Sequence, residues 1–170
     1  MVKISKISEI NFNKEQSDSL FLEAERYEDK GDFEKAFRCL LKAAEMGHSW
    51  SQVNLGTFYA SGTGVRKSLE RAAYWYKAAF RQGYVTAATN LAIDRAAAGN
   101  IRSAITWFKK GVEGGDGTAF IKLAEIYADR RGGKSKAIQL LKRVSGLPDT
   151  GASDLDREQA QELLKKLEQA

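Results

Sequence analysis

The chain repeats itself, and that repeat constrains its fold more than any other feature. Four alanines, Ala36, Ala72, Ala104 and Ala137, recur at intervals of 36, 32 and 33 residues. Eleven residues after each of the first three stands a glycine, Gly47, Gly83 or Gly115, and eight residues after each glycine a leucine, Leu55, Leu91 or Leu123. Four residues after the anchor alanines come Leu40, Tyr76, Phe108 and Leu141, one helical turn along and on the alanine's own face. A second helical pattern lies upstream of each anchor, pairing a small residue with a side chain three positions on: Ala24 and Tyr27, Gly56 and Tyr59, Ala92 and Arg95, Ala124 and Tyr127. Each unit is therefore a helix pair in which small residues let two backbones approach and large ones fill the space beyond the crossing. One such pair leaves an apolar face bare, and stacking about four of them buries it.

Composition agrees with a folded, all-helical chain. The 170 residues contain 8 Phe, 6 Tyr and 3 Trp, enough apolar surface to offset the entropy of ordering the chain, and only 1 Pro. With a single cysteine, Cys39, no intramolecular disulfide can form, so a reducing, cytoplasmic location is expected. Met1 to Ile10 lacks the continuous apolar core of a secretory signal and no apolar run reaches the roughly 20 residues that span a bilayer, so neither a signal peptide nor a membrane span is expected. Net charge is +5, unevenly spread: residues 1–47 carry 8 basic and 10 acidic groups, residues 48–147 carry 16 and 6, and residues 148–170 carry 3 and 6. A basic middle of this kind attracts nucleic acid, anionic lipid or an acidic protein, or is a solvated convex face.

Repeat two reads Leu55-Gly56, Tyr59, Gly62, Gly64-Val65, Ala72, Trp75-Tyr76, Lys77-Ala78-Ala79 and Gly83, and on these residues the chain resembles the Sel-1-like repeats of the tetratricopeptide superfamily. The resemblance covers roughly residues 17–147. Repeats one, three and four have a shorter interhelical loop: Tyr27 to Ala36 is nine residues where Tyr59 to Ala72 is thirteen. The resemblance implies a right-handed α-solenoid of about four antiparallel helix pairs (17–47, 48–83, 84–115 and 116–147), used for protein–protein interaction and seldom for catalysis. After Leu147 and Pro148, Ser153 is placed to cap a C-terminal helix over 154–169, whose stripe of Ala160, Leu163, Leu164 and Leu167 makes it a cap within 148–170. The arm 1–16 is left as either a segment folded back on the first repeat or a disordered tether.

Catalytic and cofactor chemistry find no support. The segment Gly62-Thr63-Gly64-Val65-Arg66-Lys67-Ser68 imitates a phosphate loop, but Arg66 stands where that loop needs Gly, and a helix precedes it where a strand is required. Its glycines read as an interhelical loop needing positive φ. Cys39 lies between apolar positions on a second helix and His48 follows a terminal glycine, so packing and a turn account for both. One Cys and one His provide no structural zinc site. Arg130-Arg131-Gly132-Gly133-Lys134 reads as a tight interhelical turn. No catalytic residue, metal or cofactor is expected.

By the resemblance, first helices line the concave side. The family's groove positions then fall on Asp18, Phe21, Glu25 and Asp29 in repeat one, and on Trp50, Val53, Asn54 and Thr57 in repeat two. They fall on Thr86, Thr89, Asn90 and Ile93 in repeat three and on Thr118, Ile121, Lys122 and Glu125 in repeat four. Asn54, Asn90 and Lys122 share one repeat position, where amides suit the backbone of an extended peptide or are tied to neighbouring helix ends. Trp50 is an anchor for a partner if exposed, and otherwise staples its own helix. The cations that clamp a free C-terminal carboxylate in tetratricopeptide proteins are missing at Asp18, Phe21 and Thr118.

Arg71, Lys77, Arg81, Arg102, Lys109 and Lys110 fall on second helices, which argues against a nucleic-acid channel in the groove. The expected function is a non-enzymatic adaptor, scaffold or regulator holding a peptide or partner domain on its concave face. The alternatives are a toxin-neutralising immunity protein of the same fold, and a nucleic-acid or polyanion binder using the convex face. The expected partner is a protein or peptide, with no membrane, and the chain itself a monomer or weak homodimer docking through Phe33 and Phe37.

Overall fold

A computed structural model describes the backbone of residues 2–169 and the side chains of residues 13–169. Among these residues there are nine α-helices and no strand: α1 (Val2–Asp29), α2 (Phe33–Glu45), α3 (Ser49–Ser61), α4 (Leu69–Arg81), α5 (Thr86–Ala97), α6 (Ile101–Glu113), α7 (Gly117–Ala128), α8 (Lys134–Val144) and α9 (Asp154–Gln169). They form an all-α helical-repeat fold whose chain divides into two compact units, Met1–Ala87 and Ala88–Ala170. The backbone of the N-terminal arm from Val2 is part of α1. What its side chains meet lies, up to residue 12, outside the described residues.

The helices start where short polar side chains satisfy their unpaired amides. Asp32, Ser68, Asn100 and Asp116 accept from the backbone N–H three residues on, at 3.3, 3.3, 3.2 and 3.1 Å. His48 does the same for α3 through Nδ1, accepting from Ser51 N at 3.2 Å. Ser153 and Asp156 open α9 reciprocally: Ser153 Oγ accepts from Asp156 N, and Asp156 Oδ2 accepts from Ser153 N. The C-terminal helix expected over 154–169 is α9.

In the first unit α1 packs on α2, α2 on α3 and α3 on α4. The core holds Ala24, Ala36, Leu40, Leu55, Ala72 and Tyr76, each at most 2% exposed. Gly56 is the close-approach point of α3 and α4: a Cβ there would fall 2.5 Å from Tyr76 Cε1. The loop Gly62–Ser68 is longer than the three-residue connection Lys30–Asp32 of repeat one, and it turns back onto that repeat. Gly64, at φ +63°, leaves no room for a Cβ against the carbonyl of Phe33. Both glycines of the would-be phosphate loop thus have positive φ, and the loop joins two helices.

A buried amide, Gln52, and an exposed one, Gln82, tie the first unit's turns together. Gln52 Nε2 donates to the Ala44 carbonyl at 3.1 Å, closing the end of α2 against α3. Gln82 Nε2 donates to Gln52 Oε1 at 2.8 Å, and Ser49 Oγ donates to Gln82 Oε1 at 2.9 Å.

In the second unit α6 packs on α7, α7 on α8, and α9 on both α7 and α8. Its core contains Ala92, Ala104, Phe108, Leu123, Ala137 and Leu141. Ala160 is buried, while Leu163, Leu164 and Leu167 are half-buried against the cluster around Phe120, Ile121 and Val144. Arg157 pins the connection into α9, donating to the Leu147 carbonyl at 3.0 Å and to Asp149 at 2.7 Å.

Candidate functional site

The first helices carry the positions expected to meet a partner, and the two units present them separately. On α3, Trp50 is 52% exposed although the edge of its ring meets Tyr84 at 5.3 Å. It is therefore an open aromatic surface with one side braced by a neighbour. Thr57 is exposed; its hydroxyl lies 3.2 Å from Tyr76 Oη and 3.3 Å from the Val53 carbonyl to which it donates. Asn54 is half-buried, and its amide makes no hydrogen bond among the described residues. Val53 is buried and belongs to the packing beneath this surface.

In the second unit Ile93 on α5 is 40% exposed and Asn90 half-buried, its amide likewise without a hydrogen bond among the described residues. Thr89 and Ile121 are buried. On α7, Lys122 and Glu125 form an ion pair at 3.0 Å. They face α9 across a cleft of about 260 Å³ whose other lining includes Gln159, Glu162 and Lys166, the last two paired at 2.7 Å. Thr118 donates to Asp156 Oδ1 at 3.0 Å, so α9 covers this end of the surface. Gln159, Glu162 and Lys166 belong to the same face as Lys122. They escape sequence reasoning because their repeat-like placement depends on where α9 docks, and α9 carries no repeat signature.

Around His48 the first unit forms a second cleft, about 540 Å³, lined in part by Lys14, Asp18, Ser49 and Tyr84. His48 Nδ1 is committed to capping α3, and Nε2 lies 3.4 Å from Asp18 Oδ1. Burial lowers the imidazole's pKa, and the Asp18 carboxylate partly opposes that shift. Phe21 packs against the ring at 5.0 Å. Cys39 is half-buried, and burial together with the charge of Glu23 raises its pKa, the reverse of what activates a nucleophilic thiol. Among the described residues no three His, Cys, Asp or Glu side chains gather as a metal ion requires. Among the described residues no helix is long and apolar enough to cross a membrane.

The second helices carry much of the positive charge. Lys77, Arg81, Arg102 and Lys109 are exposed on α4 and α6, as expected, while Lys110 is half-buried with its ammonium 4.6 Å from the Trp107 ring centroid. Arg130 and Arg131 lie in the exposed turn between α7 and α8. Of the aromatics proposed for self-association, Phe33 is 42% exposed, whereas Phe37 is half-buried edge-on to Tyr59 at 5.3 Å.

Comparison with known proteins places these features in a family. The Sel1 repeat family matches residues 26–48, 51–84 and 90–116. A solved Sel1 repeat protein from Oxalobacter formigenes superimposes with a TM-score of 0.63 at 27% identity, over 78% of this chain and 57% of the other. The protective antigen c5321 of uropathogenic Escherichia coli strains, which displays an SLR fold, superimposes with a TM-score of 0.67 at 18% identity, over 89% of this chain and 38% of the other. The chain thus spans less than two thirds of either structure. No curated protein sequence matches it. Sel1-type repeats are in general non-catalytic modules for protein–protein interaction. With a helix pair at every match and a fourth pair and closing helix beyond them, the chain is a Sel1-like repeat protein of the α-solenoid class.

Proposed function

We propose that the protein is a non-enzymatic adaptor or regulator that holds a peptide or partner domain against its first helices. The observation that carries this reading is the half-exposed Trp50 on α3, beside an Asn54 amide that makes no hydrogen bond among the described residues. A large rigid aromatic next to a free donor and acceptor is the composition of an interface anchor. In the second unit Asn90 and Ile93 repeat that pairing of amide and apolar group on α5. Lys122 and Glu125 contribute a paired, polar rim, where exposed charges govern specificity more than affinity. In the first unit Thr57 adds a hydroxyl near Asn54, with Val53 buried beneath, and in the second unit Thr89 and Ile121 lie buried beneath that unit's own face.

A reducing, cytoplasmic setting suits a chain with one half-buried thiol and no second cysteine.

The test is an affinity pull-down from nuclease-treated lysate of the source organism at about 0.15 M and about 0.5 M salt, the higher level screening exposed charge pairs. The variant Trp50→Ala/Asn54→Ala is run alongside. A stoichiometric protein retained at high salt by the native chain and lost by the variant is the expected result. Recovery of nucleic acid alone from untreated lysate, at low salt and equally by the variant, overturns the reading.

A further inference from the structure

A groove on the opposite set of helices suits a different ligand. It lies between α6 and α8 over α7, has a volume of about 270 Å³, and is lined by Lys109, Val112, Leu123, Tyr127, Lys136, Gln139, Leu140 and Arg143. Its floor is apolar: Leu123 is buried, and Val112, Tyr127 and Leu140 are half-buried against the same core cluster. Three exposed cations, one from α6 and two from α8, stand at the rim, and no acidic side chain lines it.

None of the three has an acidic partner among the described residues, although salt bridges form elsewhere on α7 and α9. Lys136 rests 5.9 Å from the Tyr127 ring centroid and Arg143 4.7 Å from that of Phe120. These contacts hold the two charged groups beside the groove, and both side chains remain exposed to a ligand.

We infer that this groove binds an acidic peptide through one apolar side chain seated between Val112, Tyr127 and Leu140, with flanking carboxylates paired to Lys109, Lys136 and Arg143. Charge complementarity selects an acidic ligand, and the apolar floor selects a peptide over a nucleic acid. Phosphate backbones are held by cations and polar donors and gain nothing from a hydrocarbon floor. Binding single-stranded bases needs exposed aromatic platforms, and the groove's one ring, Tyr127, is half-buried beneath Lys136. The volume is also below the roughly 300–1,000 Å³ of typical cofactor sites, and suits a side chain or two. This site is independent of the first-helix surface proposed above.

The test uses the full chain and a fluorescent probe peptide, Glu-Glu-Asp-Leu-Phe-Glu-Asp-Leu-Glu, read by anisotropy at about 0.05 M salt, where the long Debye length favours charge pairing. Polyglutamate and a single-stranded oligonucleotide of equal charge are the comparison ligands. Lys109→Gln/Lys136→Gln removes two rim cations, and Arg130→Gln/Arg131→Gln removes two exposed cations from the turn outside the groove. All four positions are exposed, so folding is preserved and is checked by circular dichroism.

The expected result is binding of the probe, weakened about tenfold by the rim variant, as two exposed ion pairs predict, and less than twofold by the turn variant. Polyglutamate and the oligonucleotide bind at least tenfold more weakly than the probe. Equal losses in the two variants, an oligonucleotide that binds as tightly as the probe, or no binding of the probe at 1 mM each overturn the proposal.

Discussion

Tyr76 lies over Gly56 so closely that a Cβ on the glycine would sit 2.5 Å from the ring's Cε1, and the tyrosine itself is 2% exposed. The contact joins α3 to α4, and the ring's hydroxyl is within 3.2 Å of the Thr57 hydroxyl. A small residue on one helix faces a large one on its partner, and the ring has no space into which to retreat.

Gly56→Ala should therefore destabilise the first unit although alanine is the better helix former by roughly 1 kcal/mol. Overpacking of a close-packed contact costs about 1–3 kcal/mol, and the strain should win. A melting temperature a few degrees below native, with unchanged helix content by circular dichroism, is the expected outcome. A melting temperature at or above native would show that α3 and α4 can separate without cost.

Gln52 is 6% exposed and holds the Ala44 carbonyl on one side and Gln82 on the other. Gln52→Ala removes both hydrogen bonds of a buried amide, the one to the Ala44 carbonyl, which keeps only Gly47 N, and the one from Gln82, at a cost of about 1–3 kcal/mol. Gln82→Ala removes an exposed partner that water replaces, and should cost less than about 1 kcal/mol. Urea unfolding of the two variants checks the ranking.

The cap at His48 makes stability depend on pH. Nδ1 must carry a lone pair to accept from Ser51 N, so protonation there removes the cap of α3. Burial lowers the folded-state pKa, with Asp18 opposing. Below the unfolded value of about 6.5 the unfolded chain therefore binds protons more readily than the folded one, and stability falls with pH. The loss runs from about pH 6.5 down to the lowered folded value and then levels off. His48→Asn keeps a capping oxygen and cannot titrate, so its stability should stay flat between pH 7.5 and about 5.5 while the native protein's declines. Parallel declines would place the titrating group elsewhere.

Docking of α9 depends on Asp156. Its Oδ2 accepts from both Ser153 N and Ser153 Oγ, and its Oδ1 accepts from Thr118. Burial pushes this carboxyl's pKa up, but the hydrogen bonds from Ser153 and Thr118 and the charge of Arg157 outweigh it and hold the group lower than usual. Asp156→Ala should cost about 1–2 kcal/mol and expose the Pro148–Ser153 connection to limited proteolysis. Unchanged cleavage would mean that the apolar stripe of Ala160, Leu163 and Leu167 holds α9 alone.

Much of this fold is written in local spacing. The anchors Ala36, Ala72, Ala104 and Ala137 and the large residues four positions on are all buried, because one helical turn returns a side chain to the same face whatever packs there. The longer loop at Gly62–Ser68, its two positive-φ glycines and the start of α9 at Asp154 follow from residue types as local as the turns they make.

The candidate surface was only partly legible. Trp50, Thr57 and Ile93 are exposed as a binding face needs, while Val53 and Thr89, about one turn from them, and Ile121, next to Lys122, are buried. The helical period names a face, but how far a neighbouring helix covers its edge is set by packing between segments far apart in sequence. The same holds for His48, whose ring is committed as a cap between Ser51 and Asp18, and for Lys122, which meets Lys166 and Glu162 only because α9 folds back along α7. The sequence by itself determined the helix pairs, their register and their turns, since these depend on contacts within a turn or two of chain. Tertiary structure alone decided which side chains stay open to a partner, because exposure is what remains after every distant segment has packed.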